Sequence, residues 1–212
     1  LGEAMPLQNR VTPSGQLQAV SARGAWLGNR GILHDENKKI VAPWRHKAWV
    51  TCKLDFPGRH RAIFSPNNYS ELFFRDEATA FSAGHRPCAE CRKDRYNEFK
   101  AAWCAANPEV AGSKPPIPQI DKKLHSERAI RGGNKVTYDE QFKNIPPGTF
   151  IDFEGVPHLF WLGQLYPWSH HGYGQPHSAP PESMQVRVLT PASIVATFRH
   201  GFKPQVHESA HS

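Results

Sequence analysis

The sequence predicts an α+β fold from three patterns. Residues 48–56 alternate between apolar and polar side chains, as a half-buried strand does. Residues 149–162 contain two β-prone runs on either side of a Glu-Gly turn, which indicates a hairpin. Apolar residues at helical spacing predict a helix from about Glu90 to about Ala106. We therefore expect a small cysteine-bearing module, made of a hairpin and two helices, packed on a β-rich C-terminal part with a terminal helix.

The first module should continue from its strand through a Pro57-Gly58 turn into a short second strand, Ala62–Phe64. Leu72–Phe74 predicts a third strand. Asp76 has the side chain of a helix N-cap, and Gly84 supplies a C-terminal stop. A short helix is therefore expected between these two residues.

The C-terminal part begins with a helix predicted over residues 120–130. Its last strand is expected at Val186–Leu189. Thr190 and Pro191 then provide a cap and a first-turn proline, which predict a terminal helix that ends at Gly201.

A proline-rich stretch, residues 112–118, is the best candidate for a linker. It divides residues 5–111 from residues 119–212. The first unit starts at Met5 because residues 1–4 resemble a remnant of cloning. Each unit is small for independent stability, so we expect the two to pack together.

Charge and cysteine content limit the classes of function. The net charge of +7 fits a polyanionic partner such as nucleic acid, and it also fits a role in solubility alone. No apolar run approaches the roughly 20 residues that span a bilayer, and we see no secretory leader, so no membrane partner is expected. Four unevenly spaced cysteines do not resemble a disulfide framework, which favours the reducing cytoplasm.

The cysteines predict a metal site, with zinc as the metal. Cys88 and Cys91 are separated by two residues, so both sulfur atoms can face one ion from a turn. Cys52 is a third ligand because it shares the inward face of the predicted strand. Cys104 is excluded, because an unbroken helix would place it roughly 20 Å from Cys91. The alternative is a redox dithiol, although the short helix before the cysteines does not fit a thioredoxin-like unit.

The fourth ligand is left open by the sequence. Zinc prefers cysteine and histidine, and His34 is our first choice because it follows a short apolar run. His85, His60 and His46 are alternatives.

The residues around the cysteine pair resemble a known family. A helix ending in Ala83-Gly84, followed by Arg86-Pro87-Cys88 and then Cys91, is similar to the N-terminal zinc-binding domain of the Ada alkylation-response protein over about residues 50–95. The resemblance implies a zinc site with Cys88 and Cys91 as the later ligand pair. In that family an earlier pair, four residues apart, completes the site and one member accepts a methyl group from DNA.

This sequence departs from the Ada pattern at the earlier pair. Only Cys52 falls in the matching region, since positions 48 and 56 are Ala and Phe. The rest of the chain, including Asn9-Arg10 and Gly28–Gly31, resembles an uncharacterised bacterial protein family. Glycines at this density let the backbone approach a ligand or another strand, and a nest-like anion site is one possibility for the stretch.

Binding to nucleic acid, with DNA as the expected partner, is the first functional hypothesis. Six cations that flank the cysteine pair in the sequence are predicted to contact phosphates: Arg59, Arg61, Arg86, Arg92, Lys93 and Arg95. Trp44, Trp49 and Tyr69 can stack on unpaired bases. The role would be in DNA repair, modification or defence.

Two other hypotheses remain open. An enzyme that hydrolyses or processes a nucleic acid or nucleotide would use His125, Glu127, His170 and His171 as acid-base candidates. The second alternative is a zinc-stapled scaffold that binds protein.

Overall fold

The computed structural model describes residues 5–112 and 114–211, so residues 1–4 and part of the predicted linker lie outside it. Its mixed content confirms the α+β prediction. The strands are β1 (Gln8–Val11), β2 (Leu17–Ala19), β3 (Trp26–Asn29), β4 (Val50–Cys52), β5 (Leu72–Phe74), β6 (Arg86–Pro87), β7 (Tyr138–Gln141), β8 (Phe150–Phe153), β9 (Val156–Trp161), β10 (Gln164–Ser169), β11 (Gly172–Tyr173), β12 (His177–Ser178) and β13 (Gln185–Val188). The helices are α1 (Glu77–Ser82), α2 (Lys93–Ala106), α3 (Pro108–Ala111), α4 (Ile117–Arg128) and α5 (Ala192–Arg199).

The N-terminal sheet has the order β2-β1-β5-β3-β4-β6 within the described residues. Two of its pairings are parallel, β1 with β5 and β4 with β6, and the others are antiparallel. The parallel pairing of β4 with β6 is the one that matters for the site. It joins segments on either side of the Leu72–Phe74 strand and helix α1.

The C-terminal sheet runs β11-β10-β9-β8-β13-β7, and β12 pairs with β10. The predicted hairpin at 149–162 is confirmed, with Ile151 opposite His158. The strand predicted at Val186–Leu189 is β13, which pairs with β8 and β7.

Helices from both sides of the proline-rich stretch share one core. Phe81 of α1 and Phe99 and Trp103 of α2 are packed with residues of α4 and α5, such as Leu124 and Phe198. All five are nearly inaccessible to solvent, and the burial of this apolar surface stabilises the fold. The two halves of the chain therefore pack together through this cluster.

Short helix α1 ends and begins as the sequence predicts. Asp76 is the N-cap and accepts from the backbone N–H of Thr79 at 2.8 Å. Asp76 also accepts from the hydroxyl of Tyr173 at 2.7 Å, which ties α1 to the second sheet. Gly84 follows the helix with a φ of +91°, a conformation that suits glycine.

One predicted strand is absent from the structure. Ala62–Phe64 does not form a strand, so β4 has no hairpin partner after the Pro57-Gly58 turn. Strand β4 pairs instead with β3 and β6, and its predicted length shrinks to Val50–Cys52. Phe64 is buried, and its ring stacks on that of His34. It does not belong to a strand.

The described helices include none that is long and apolar enough to cross a membrane.

Candidate metal centre

The parallel pairing of β4 with β6 brings two cysteines together. Thr51 and Pro87 are register partners, and Cys88 N–H donates to the carbonyl of Thr51 at 3.0 Å. Cys52 and Cys88, one residue further along each strand, therefore leave the sheet side by side. Cys91 lies in the turn that follows, before α2 begins.

The three thiols form one compact group. The sulfur atoms of Cys52, Cys88 and Cys91 all lie within 4.8 Å of one another, and the three residues are buried. In a tetrahedral site with zinc–sulfur bonds of about 2.3 Å, the sulfur atoms lie about 3.8 Å apart. Only a small contraction would bring these thiols around one ion. The donor set is therefore able to hold a metal.

The protonation of the cluster favours metal binding. A hydrogen bond from Cys52 lowers the pKa of Cys88 to about 5 and that of Cys91 to about 7. The same hydrogen bonds, first the one with Cys88, raise the pKa of Cys52, which keeps its proton. Metal binding requires thiolates, so two donors are ready near neutral pH and the third releases a proton.

The shell around the thiols is apolar. Leu27, Val50 and Phe56 pack against the cysteine cluster. An apolar shell limits the access of solvent to a bound ion and lowers the local dielectric constant, which strengthens the bonds between the ion and thiolate.

His34 is not brought to the thiols. Its ring stacks on Phe64 with 4.6 Å between centroids, and Nδ1 lies 2.6 Å from the hydroxyl of Ser70. Among the described residues, the metal-capable group contains the three cysteines and does not include His34. The sequence could not anticipate this, because the position of His34 depends on packing between distant segments.

The alternative fourth ligands also lie elsewhere. His85 accepts at Nε2 from Arg30, and its Nδ1 lies 3.0 Å from the carbonyl of Val50, so both ring nitrogens are engaged. His60 is exposed and lies 3.5 Å from the carboxylate of Asp55. Cys104 packs against the helical core, as its exclusion from the site requires.

The cations predicted to contact phosphates are mostly paired with carboxylates. Arg86 and Arg92 are buried and pair with Asp121 and Glu77. The remaining pairs of this set are Arg95 with Glu77 and Glu98, Arg59 with Glu90, and Arg61 with Glu71. Lys93 is exposed and has no ion pair within the described part of the chain. The basic surface expected around the cysteines is therefore largely neutralised.

Glu127 has a structural partner. Its carboxylate accepts from the backbone N–H of Ser193 at 3.2 Å and from the Ser193 hydroxyl at 2.5 Å. These contacts cap the start of α5, where the predicted cap, Thr190, instead accepts from the N–H of Phe150. A proton-transfer role for Glu127 is not supported by this position.

The predicted catalytic histidines lie in separate places. His125 contacts the rings of Trp44 and Trp49, and burial, followed by Arg128 and Lys47, lowers its pKa to about 4. His170 and His171 form the turn between β10 and β11, where His170 lies 2.7 Å from the amide oxygen of Gln18. The four acid-base candidates therefore do not form one catalytic group.

Sequence reasoning missed a cluster of cations that lines a cavity. Arg30, Arg128 and Lys135 come together at a cavity beside Trp49. The only sequence signal was the Gly-Asn-Arg-Gly stretch that contains Arg30. Gly28 itself is explained by strand packing, because an added Cβ would lie 2.4 Å from the ring of Phe74.

Comparison with protein-family models, curated proteins and solved structures found no match to this chain.

Proposed function

We propose that this chain is a zinc-binding protein whose partner is a nucleic acid, DNA. The observation that carries the zinc assignment is the approach of three buried thiols within 4.8 Å. All three donors are sulfur, and soft thiolates select zinc over magnesium or calcium.

The proposed zinc has a structural role. When bound, it supplies a cross-link between β4 and the turn that joins β6 to α2. Three thiolates outweigh the charge of the ion, and thiolate-rich sites are typical of structural zinc. The chain's own residues then hold the cross-link in an apolar shell, which protects it from solvent.

The nucleic-acid proposal is supported by a basic segment, residues 38–47. It presents four exposed cations around the half-buried ring of Trp44: Lys38, Lys39, Arg45 and Lys47. None of these four takes part in the ion pairs of the described residues. The nearby carboxylate of Asp35 accepts from backbone N–H groups. Unpaired surface cations of this kind are suited to phosphate contacts.

Binding to a labelled DNA oligonucleotide, measured by fluorescence anisotropy at several salt concentrations, tests the proposal. We expect the affinity to fall with salt. Changing all four cations of residues 38–47 to Gln should reduce the salt slope by about 0.7–0.9 for each lost phosphate contact. The matched control is Lys122→Gln with Lys143→Gln, which removes exposed charges elsewhere and should leave the slope nearly unchanged.

The same measurement separates the alternatives. Failure of the folded, zinc-loaded protein to bind DNA would favour the protein-interaction scaffold. Turnover of the oligonucleotide would favour the enzyme, although the scattered positions of His125, Glu127 and His170 give that reading less support. A role in DNA repair, modification or defence rests on the Ada resemblance alone.

A further inference from the structure

A second candidate site lies apart from the thiols, in a cavity of about 950 Å³. Residues of both sheets line it, from Gln18 on one side to Asp152 on the other. Trp44 and the loop after α4 complete the wall. None of the three cysteines lines this cavity, so it is distinct from the metal centre.

Arg30 is the most enclosed cation of the cavity. Its side chain is buried, with 2% of the residue exposed. Nη1 donates to the carbonyl of Gly15 at 3.0 Å, and Nε donates to Nε2 of His85 at 2.9 Å. Nη2 is buried and has no hydrogen-bond partner among the described residues. Because His85 accepts at Nε2, the guanidinium has a neutral partner there and keeps an unused donor.

The buried Arg128 and the half-buried Lys135 add two further cations. Arg128 donates to the carbonyls of Gly84 and Lys47, both at 2.6 Å, and its Nε has no partner among the described residues. Lys135 Nζ donates to the carbonyl of Ser82 at 2.8 Å. Arg128 Nη2 also lies 3.2 Å from Nδ1 of His125. The backbone oxygens and this imidazole are uncharged, so they leave the cationic charge uncompensated.

Trp49 packs against two of these cations, Arg30 and Arg128. The guanidinium carbons of Arg30 and Arg128 each lie 4.0 Å from the centroid of its ring. The ring is 3% exposed and stabilises the two cations through its π-electrons. The half-buried Trp44 also lines the cavity and tilts against Trp49 at 6.2 Å.

The carboxylates near the cavity do not balance this charge. Asp121 is engaged by Arg86 through two hydrogen bonds of 2.7 and 2.9 Å. Asp152 lines the wall, together with the additional cation Arg187. Burial lowers the pKa of Arg30 to about 9 and, with help from Arg30 and Arg128, that of Lys135 to about 7. Buried charges are normally paired, and here no described ion pair includes Arg30, Arg128 or Lys135.

We infer that this cavity binds the phosphate monoester of a nucleotide, with Arg30, Arg128 and Lys135 supplying the positive charge beside the phosphate. Guanidinium and ammonium groups form strong, charge-assisted hydrogen bonds with phosphate. The volume is within the range of small-molecule sites and exceeds what a single phosphate fills. Trp44 provides an aromatic face for the nucleobase.

The inference does not rest on the zinc site or on the basic segment. A phosphate monoester occurs on a free nucleotide and at the end of a nucleic-acid strand, and the chemistry at Arg30 is the same for both. The source of the phosphate is a question for the binding experiment.

Isothermal titration calorimetry on the full chain tests the inference with adenosine monophosphate, adenosine and inorganic phosphate as probes. We expect saturable binding of the monophosphate and binding of adenosine at least about tenfold weaker, because adenosine lacks the charged acceptor. An oligonucleotide with and without a 5′-phosphate identifies the source. Tighter binding of the phosphorylated strand than of the monophosphate would indicate a strand end, and the reverse would indicate a free nucleotide.

Two variants test whether the phosphate binds at these cations. Lys135→Gln and Arg30→Lys should each weaken monophosphate binding about tenfold to a hundredfold. The control Lys143→Gln removes an exposed charge outside the cavity and should leave binding unchanged. If Arg30→Lys does not fold, as judged by circular dichroism, Lys135→Gln decides the test.

Three results would overturn the inference: no saturable binding of the monophosphate, equal binding of adenosine, or binding that Lys135→Gln leaves unchanged. The quadruple variant, with Lys38→Gln, Lys39→Gln, Arg45→Gln and Lys47→Gln, should lose affinity for DNA and keep its affinity for the monophosphate. That pattern makes failure of the cavity assignment distinguishable from failure of the proposed DNA binding.

Discussion

Cys52 and Cys88 stand side by side because the residues before them, Thr51 and Pro87, are register partners in the parallel pair of β4 and β6. A metal held by these cysteines would cross-link β4 to the turn after β6, two segments that are distant in sequence. The backbone hydrogen bond from Cys88 N–H to the carbonyl of Thr51 lies directly beside that cross-link.

Removal of the metal is therefore expected to loosen the pairing of β4 with β6. Treatment with a chelator should increase amide hydrogen exchange at Cys88 and at Arg92, whose N–H donates to the carbonyl of Cys88 at 3.2 Å. The N–H of Leu189, which donates to Phe150 in the second sheet, serves as the internal control. Equal exchange at Cys88 before and after chelation would mean that no metal supports this turn.

Breaking the ion pair of Arg86 with Asp121 should cost far more stability than breaking a surface pair, because it leaves a buried charge without its partner. Both side chains are about 5–6% exposed, and Arg86 donates two hydrogen bonds to the carboxylate. Asp121→Asn leaves a buried guanidinium without its countercharge, which should cost about 3–5 kcal/mol of unfolding free energy. Chemical denaturation measures this loss. Asp139→Asn, which breaks an exposed pair with Arg187, is the control and should cost about 0–1 kcal/mol.

Glu127 is expected to act as a helix cap. Glu127→Ala removes the acceptor of the Ser193 N–H and hydroxyl at the start of α5, so it should cost about 0.5–2 kcal/mol of unfolding free energy. The exposed Glu182 provides a control, since Glu182→Ala should lie within about 0.5 kcal/mol of the wild type. Denaturation curves of the two variants that coincide would contradict the capping role.

The lowered pKa of Lys135 predicts that the free energy of unfolding increases with pH above neutrality. Burial lowers its pKa in the folded chain to about 7 from 10.5, so between these values the unfolded chain binds the additional proton. Stability therefore rises with pH from about 7 upward, since a lowered lysine pKa penalises the protonated fold. In Lys135→Met this rise should be smaller between pH 7 and about 9, as measured by urea denaturation. A variant with the same pH slope as the wild type would show that Lys135 is not buried in this way.

Local signals predicted the elements whose ends are set by neighbouring residues. The N-cap at Asp76, the glycine stop at Gly84 and the hairpin at 149–162 all follow from short-range chemistry. Strand alternation predicts that Cys52 faces inward, and the parallel pairing of β4 with β6 places it beside Cys88.

Long-range partners could not be inferred in the same way. The sequence predicts that Arg86 contacts phosphate, because its carboxylate partner, Asp121, lies on a helix 35 residues further along the chain. Arg30 and Arg128 meet at Trp49 because α4 packs against the segments of the first sheet. The position of His34 could not be inferred either, because it depends on contacts with Phe64 and Ser70, which lie about 30 residues or more further along the chain.

Metal analysis of the purified protein, with the variants Cys52→Ala, Cys104→Ala and His34→Ala, tests the central claim most directly. We expect one zinc per chain in the wild type, lost in Cys52→Ala and kept in Cys104→Ala and His34→Ala. Inductively coupled plasma mass spectrometry gives the stoichiometry. Wild-type protein without metal, or a metal content indifferent to Cys52→Ala, would contradict the three-cysteine metal centre.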